Sequence, residues 1–291
     1  MPTPQTDAFF MPAGDEPAGQ RFCLYHQPAP GTAALGSVVY VHPFTEEMNK
    51  SRRMAAMQSR ALAQAGYAVL QVDLLGCGDS SGDFGDASWD DWVADVLRAC
   101  QWLGERSSAP LWLWGLRAGC LLAAQAARQL PTPCNFIFWS PTPSGKTQLQ
   151  QFLRLKAAGD MLGGGAKGVT EGLRQQLAGG QTVEIAGYAL SPGLAQGMEQ
   201  AMLAPPAASQ PSLAQPGRLE WLEMSTREDA TLSPVAQKAI EQWEQSGFAV
   251  RSHIVNGPSF WQTTEIEDAP ALVAATLAAV TPPHMMHPVA A

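Results

Sequence analysis

The chain has 291 residues, 46% of them apolar and 15% charged, with a formal net charge of -8; that suits one α/β domain with an insertion, or at most two domains. An acidic balance with no compensating Lys/Arg run excludes nucleic-acid and anionic-membrane partners. No stretch reaches the roughly eighteen uncharged apolar residues of a membrane span, and Met1 to Asp7 lacks a basic n-region and an apolar h-region, so a soluble cytoplasmic protein without membrane insertion is expected.

Short strand-like runs at Ala8 to Met11 and Arg21 to His26 flank a Pro/Gly-rich loop, which predicts a hairpin at the sheet edge. Gly36 to His42 is a β-branched buried strand, and the polar segment Pro43 to Arg53 after it passes into a helix from Ser51 to Gln64, ended by Gly66. Tyr67 to Asp73 is the next strand, followed by the tight loop Leu74 to Gly82. Ser88 is placed to cap an amphipathic helix from Trp89 to Leu103, with Asp90, Asp91 and Asp95 near its positive end. Leu111 to Trp114 is an apolar strand that Gly115-Leu-Arg-Ala-Gly119 turns sharply into a helix from Ala118 to Gln129. Another strand, Asn135 to Ser140, follows.

Strands alternating with helices imply βαβ units and a doubly wound, mostly parallel sheet. From about Lys146 to Gln215 that rhythm breaks into a polar helix, Gln148 to Lys156, a flexible Gly163-Gly-Gly165, a short strand near Val183 to Ala186, and prolines at 205, 206, 211 and 216. The segment is expected to be an inserted lid or cap, with a disordered linker as the alternative. Alternation resumes with strand Arg218 to Met224, helix Pro234 to Gln245, strand Phe248 to Val255 and helix Glu265 to Val280, and the tail 281–291 is expected to be disordered.

The Gly115 to Gly119 turn has the layout of a nucleophile elbow, in which glycines flank a residue held on a strained strand-to-helix turn. The residue between them is Arg117, a permanent cation that can neither attack a carbonyl nor accept a proton. Together with the loop after His42, the Gly76 to Ser80 turn and the acidic loop after the Arg218 strand, this resembles the α/β-hydrolase superfamily over nearly the whole chain. The resemblance implies an α/β-hydrolase fold with its core in residues 1–145 and 216–280 and a lid in 146–215. More narrowly, His42 to Arg53, Leu113 to Gly119 and Gly257 to Ile266 resemble the exosortase A system-associated hydrolase 2 family. That implies a link to PEP-CTERM protein sorting and exopolysaccharide, while fold alone does not fix an activity.

A serine hydrolase needs a nucleophile, a histidine, an acid and two oxyanion donors. Asp229, beside Glu228, stands at the acid position, where an acidic surface loop would look the same. No histidine lies within Asn256 to Thr264; Phe260 or Trp261 takes its ground and, with His42, is expected to line the pocket. His253 is expected to pack on the sheet, and His26, His284 and His287 lie far off in sequence. The Phe44 and Ala118 N–H groups remain as oxyanion or anion donors, Pro43 having none, and with Arg117 and the dipole of the following helix they form an anion-binding apex.

Glu46 or Glu47 can pair with Arg117, or act as a raised-pKa base for water, or stay solvated with Glu46 four residues before Lys50. Cys77, Ser140 and Ser144 are weak alternatives as nucleophiles. Five cysteines, Cys23, Cys77, Cys100, Cys120 and Cys134, without CxxC spacing imply reduced thiols, and neither a metal site nor a cofactor is expected. Three functions follow: a pocket binding an anionic or acylated small molecule without triad turnover; a hydrolase of esters, thioesters or amides using carboxylate-activated water, with Arg117, Glu46, Glu47 and Asp229 as its catalytic set; or a scaffold docking a partner protein through Trp89, Trp92 and Trp102, which at helical spacing suit the core better.

Overall fold

The computed structural model describes residues 4–14, 19–28, 33–161, 168–206 and 217–281. An edge hairpin, β1 (Thr6–Pro12) and β2 (Gln20–His26), leads into β3 (Gly36–Val41), α1 (Glu46–Gln64), β4 (Tyr67–Val72), α2 (Trp89–Gly104), β5 (Leu111–Leu116), α3 (Gly119–Ala127) and β6 (Asn135–Trp139). Next come α4 (Gly145–Met161), α5 (Val169–Ala178), the hairpin β7 (Val183–Ile185) and β8 (Tyr188–Leu190), and α6 (Pro192–Gln200). The chain closes with β9 (Arg218–Ser225), α7 (Pro234–Gln245), β10 (Ala249–Asn256) and α8 (Pro270–Val280).

Eight strands form one sheet in the order β1-β2-β4-β3-β5-β6-β9-β10. Its β1–β2 and β2–β4 pairings are antiparallel and the others parallel. The central strands are buried on both faces, which is why they are continuous apolar runs rather than alternating ones. Val39, Val41 and Leu113 face the core shared with α2 and α3. Val38, Tyr40 and Trp114 face the opposite core, which Met54 of α1 and Leu272 of α8 close. No helix among the described residues is long and apolar enough to cross a membrane.

Several expected boundaries shift. Helix α1 begins at Glu46, not Ser51, because the chain turns at Thr45, whose φ is 51°, and Met48, Met54 and Leu62 supply a buried stripe from the first turn onward. Glu46 and Glu47 therefore sit at the helix's positive end, where acidic side chains are favoured. α3 is shorter than expected, and α8 starts at Pro270 rather than Glu265. Between β6 and β9, the expected polar helix is the longer α4, and the short strand gains β8 as a hairpin partner. Helices α5 and α6 were not anticipated; α6 buries Leu194 and Met198 and starts with Ser191 capping the Leu194 N–H. The Gly163–Gly165 run, Pro211, Pro216 and the tail from residue 282 lie outside the described residues.

The cap on α2 forms as expected: the Ser88 hydroxyl accepts from Asp91 N–H and the Asp91 carboxylate accepts from Ser88 N–H. Ser88→Ala is expected to cost about 1 kcal/mol, read as a lower urea midpoint at an unchanged slope.

Candidate functional site

Parallel strands bring their carboxyl ends to one edge of the sheet, and loops following β3, β5, β6 and β10 meet there around Arg117. Gly115 and Gly119 make the elbow possible: a Cβ on Gly115 would collide with the Cys120 backbone, and one on Gly119 with the Val41 carbonyl oxygen. Arg117 itself has φ 53°, and two further non-glycine residues, Thr45 at 51° and Ser140 at 40°, stand beyond the ends of β3 and β6. Such backbone costs of order 1–3 kcal/mol per residue and concentrates at functional sites. Neither Thr45 nor Ser140 carries a sequence signal for this conformation, since both residue types ordinarily avoid it.

The Arg117 backbone N–H is tied to Trp139 O at 3.0 Å. Its guanidinium donates to Glu47 Oε1 at 3.4 Å and to Ser140 O at 3.3 Å, and lies 5.7 Å from the Trp261 ring centre. Both side chains of the Arg117–Glu47 pair are 15% exposed, so the pair is neither fully desolvated nor a surface contact. Gln148, on α4, donates to the other Glu47 oxygen at 3.3 Å, which couples the pair to the segment between β6 and β9. Burial pushes the Glu47 carboxyl above its usual range, and Arg117, Gln148 and Gln262 offset this only in part. Glu223, near the end of β9, is likewise raised by burial, against the opposing pull of the Trp221 indole N–H and Arg117. Sequence reading passes over it because its place inside strand β9, which also carries Glu220, marks it as a sheet residue.

The other expected residues divide. Ala118 and Phe44 are buried, and neither backbone N–H has a partner among the described residues. Glu46 is exposed and accepts from Tyr188 Oη at 3.1 Å and Asn49 at 3.2 Å, so Glu47 alone of the two reaches Arg117. Asp229 is 82% exposed and pairs with Arg227 at 3.4 Å, a surface arrangement rather than an acid aimed at a histidine. Phe260 is fully buried, packed on Trp139 and Trp261, and belongs to the core rather than to the pocket wall. Trp261 is the aromatic that faces Arg117. His42 is buried inside the wall: its Nε2 accepts from Leu74 N–H at 3.3 Å, which makes Nδ1 the donor to Pro43 O at 2.8 Å. Burial lowers its pKa, and a neutral ring with both nitrogens engaged is a structural element, not a base.

No substitute triad forms among the described residues. His253 lies on the sheet face with Nε2 3.3 Å from Glu220, inside a cluster with Arg218 and Arg251. His26 contacts Thr6 and Gln71; His284 and His287 lie outside the described residues. Cys77 is buried and its thiol is pushed far above the usual range by that burial, which removes the thiolate a nucleophile requires. The Ser140 hydroxyl accepts from Met224 N–H and that of Ser144 contacts Thr147. Trp89 and Trp92 are buried, and Trp102 stacks on Phe9, so all three pack inward.

Residues 32–166 match the family model for serine aminopeptidase, S33. Human Protein ABHD12B is 30% identical over 122 residues, which are 40% of this chain; the match spans 31% of that protein, less than a third of its length. Among solved structures, Est1E from Butyrivibrio proteoclasticus with bound ferulic acid is 15% identical, with a TM-score of 0.63 over 94% of this chain and 98% of that one. A carboxyl esterase from Bacillus coagulans in complex with glycerol is 13% identical, with a TM-score of 0.58 over 94% and 98%. The serine hydrolase XC6422 from Xanthomonas campestris is 17% identical, with a TM-score of 0.53 over 96% and 95%. These likenesses show the α/β-hydrolase fold.

Proposed function

We propose that this chain uses its α/β-hydrolase fold to hold an anionic or acylated small molecule at the elbow, with Arg117 as the anchor, and does not turn over substrate by a serine triad. The observation that carries this is the guanidinium at the strained apex, facing the Trp261 indole, beside two backbone donors that have no partner among the described residues. A cation, free N–H groups and the start of α3 favour negative charge together. Residues 146–215 act as the lid, and Gln148 is its contact with the anchor pair. The sequence resemblance at His42 to Arg53, Leu113 to Gly119 and Gly257 to Ile266 supports assigning this binding role to an exosortase and exopolysaccharide system, with acylated and anionic intermediates as the matching ligand chemistry.

A thermal-shift panel of short-chain carboxylates, phosphate esters and acyl thioesters tests this reading. At least one should raise the melting temperature in a saturable way; a flat response across the panel contradicts it.

Glu47 competes with the ligand for Arg117, and its raised carboxyl sets the pH dependence. Protonation removes the competitor, so affinity for an anion rises as pH falls from neutral through the raised Glu47 value and levels once the group is neutral. Glu47→Gln should flatten this profile and bind about fivefold more tightly at neutral pH, the size of a partly exposed pair. The same features carry a second reading, in which Glu47 activates water and Arg117 stabilises developing negative charge. Ester, thioester or amide turnover that disappears in Glu47→Gln would establish it.

A further inference from the structure

At the opposite end of the sheet, where β3 and β5 begin, a cleft of about 670 Å³ opens between the carboxyl ends of α2 and α3. Its size falls within the range of small-molecule sites. Leu97, Cys100, Leu111 and Leu130 supply apolar wall, and among the described residues none that lines it is charged. One polar group there is unexplained. Ser37 is 2% exposed, its N–H is spent on Pro110 O, and its hydroxyl has no partner among the described residues.

Strand alternation fixes the direction of that hydroxyl. Val39 and Val41 face the core under α2 and α3, so Ser37, two residues earlier on the same strand, turns to the same face and into the cleft. A buried hydroxyl left unpaired is costlier than the alanine or valine the position would otherwise take. A ligand that supplies the missing hydrogen bond resolves this.

We propose that this cleft is a second small-molecule site, for an uncharged, mainly apolar alcohol or phenol whose hydroxyl pairs with Ser37. The absence of any lining charge rejects ions, which would be desolvated without compensation. The site is distinct from the anchor: β5 runs from Leu111 at the cleft to Leu116 beside Arg117, about 17 Å along the strand.

The test uses 2-naphthol as probe, with naphthalene and naphthalene-2-carboxylate as comparators, followed by calorimetry and thermal shift on the full chain. Saturable binding of 2-naphthol is expected, about tenfold weaker for naphthalene and for the protein carrying Ser37→Ala. Without ligand, Ser37→Ala should be as stable as the parent or more so, because it removes an unpaired group. Gly104 lines the cleft, and a Cβ there meets nothing within 4 Å, so Gly104→Trp should fill the space and abolish binding while the protein stays folded. Arg117→Ala should leave 2-naphthol binding unchanged. Absence of 2-naphthol binding overturns the proposal, as does binding that ignores both cleft variants, depends on Arg117, or favours the carboxylate through the cleft. A loss of apo stability in Ser37→Ala with unchanged binding would assign the hydroxyl to a buried water instead.

Discussion

Arg117→Ser is expected to give a protein that a fluorophosphonate probe does not label and that hydrolyses model esters no faster than the parent, although it places a hydroxyl at the elbow. The N–H groups of Phe44 and Ala118, which have no partner among the described residues, would remain available as donors in that variant. The missing part is the base. His42 is neutral with both nitrogens engaged, His253 is tied to Glu220, and the loop after β10 turns the Trp261 indole toward Arg117. A hydroxyl without its base forfeits roughly 10⁴–10⁶ in turnover relative to a complete triad. Mass spectrometry of the probe-treated protein is the check, and a covalent adduct at position 117 would mean that a base had been overlooked.

The second large effect lies in the scaffold. Asp95 on α2 is fully buried; it accepts from Arg21 Nε at 2.7 Å, Leu75 N–H at 2.8 Å and Arg98 Nη1 at 2.8 Å. One carboxylate thus joins the edge hairpin, the loop after β4 and its own helix. Asp95→Ala takes the carboxylate away from the buried Arg21 guanidinium and leaves the Leu75 N–H without its acceptor, and is expected to cost about 3–5 kcal/mol. Asp95→Asn keeps an acceptor and should cost less. Urea unfolding measures both, and a loss below about 1 kcal/mol for the alanine variant would mean that water replaces the carboxylate.

The sheet was legible because β3, β5 and β6 are apolar runs that only burial on two faces explains, and the Ser88 cap and elbow glycines mark their helices directly. Less could be seen between β6 and β9. Leu173 and Leu177 of α5 and Leu194 of α6 bury narrow apolar stripes in a polar, glycine-rich sequence, and those stripes acquire meaning only from the surfaces they cover. At the site, the arginine between the elbow glycines and the lack of a histidine within Asn256 to Thr264 could be read from residue types. Which acid meets Arg117 was not, because it depends on α1 beginning at Glu46, one turn and more before the expected start, with Glu47 on the inward side. Asp229 had the right place in sequence, yet with no imidazole to orient it the carboxylate pairs with Arg227 at the surface. The strained backbone at Thr45 and Ser140 depends on tertiary context that no local pattern encodes.

Calorimetric titration of hexanoate into the parent protein and into Arg117→Ala, side by side at mildly acidic pH where Glu47 competes least, tests the anchor role most directly. Saturable binding to the parent, weakened at least tenfold by the substitution, is the predicted result. Equal binding by the two proteins would contradict it.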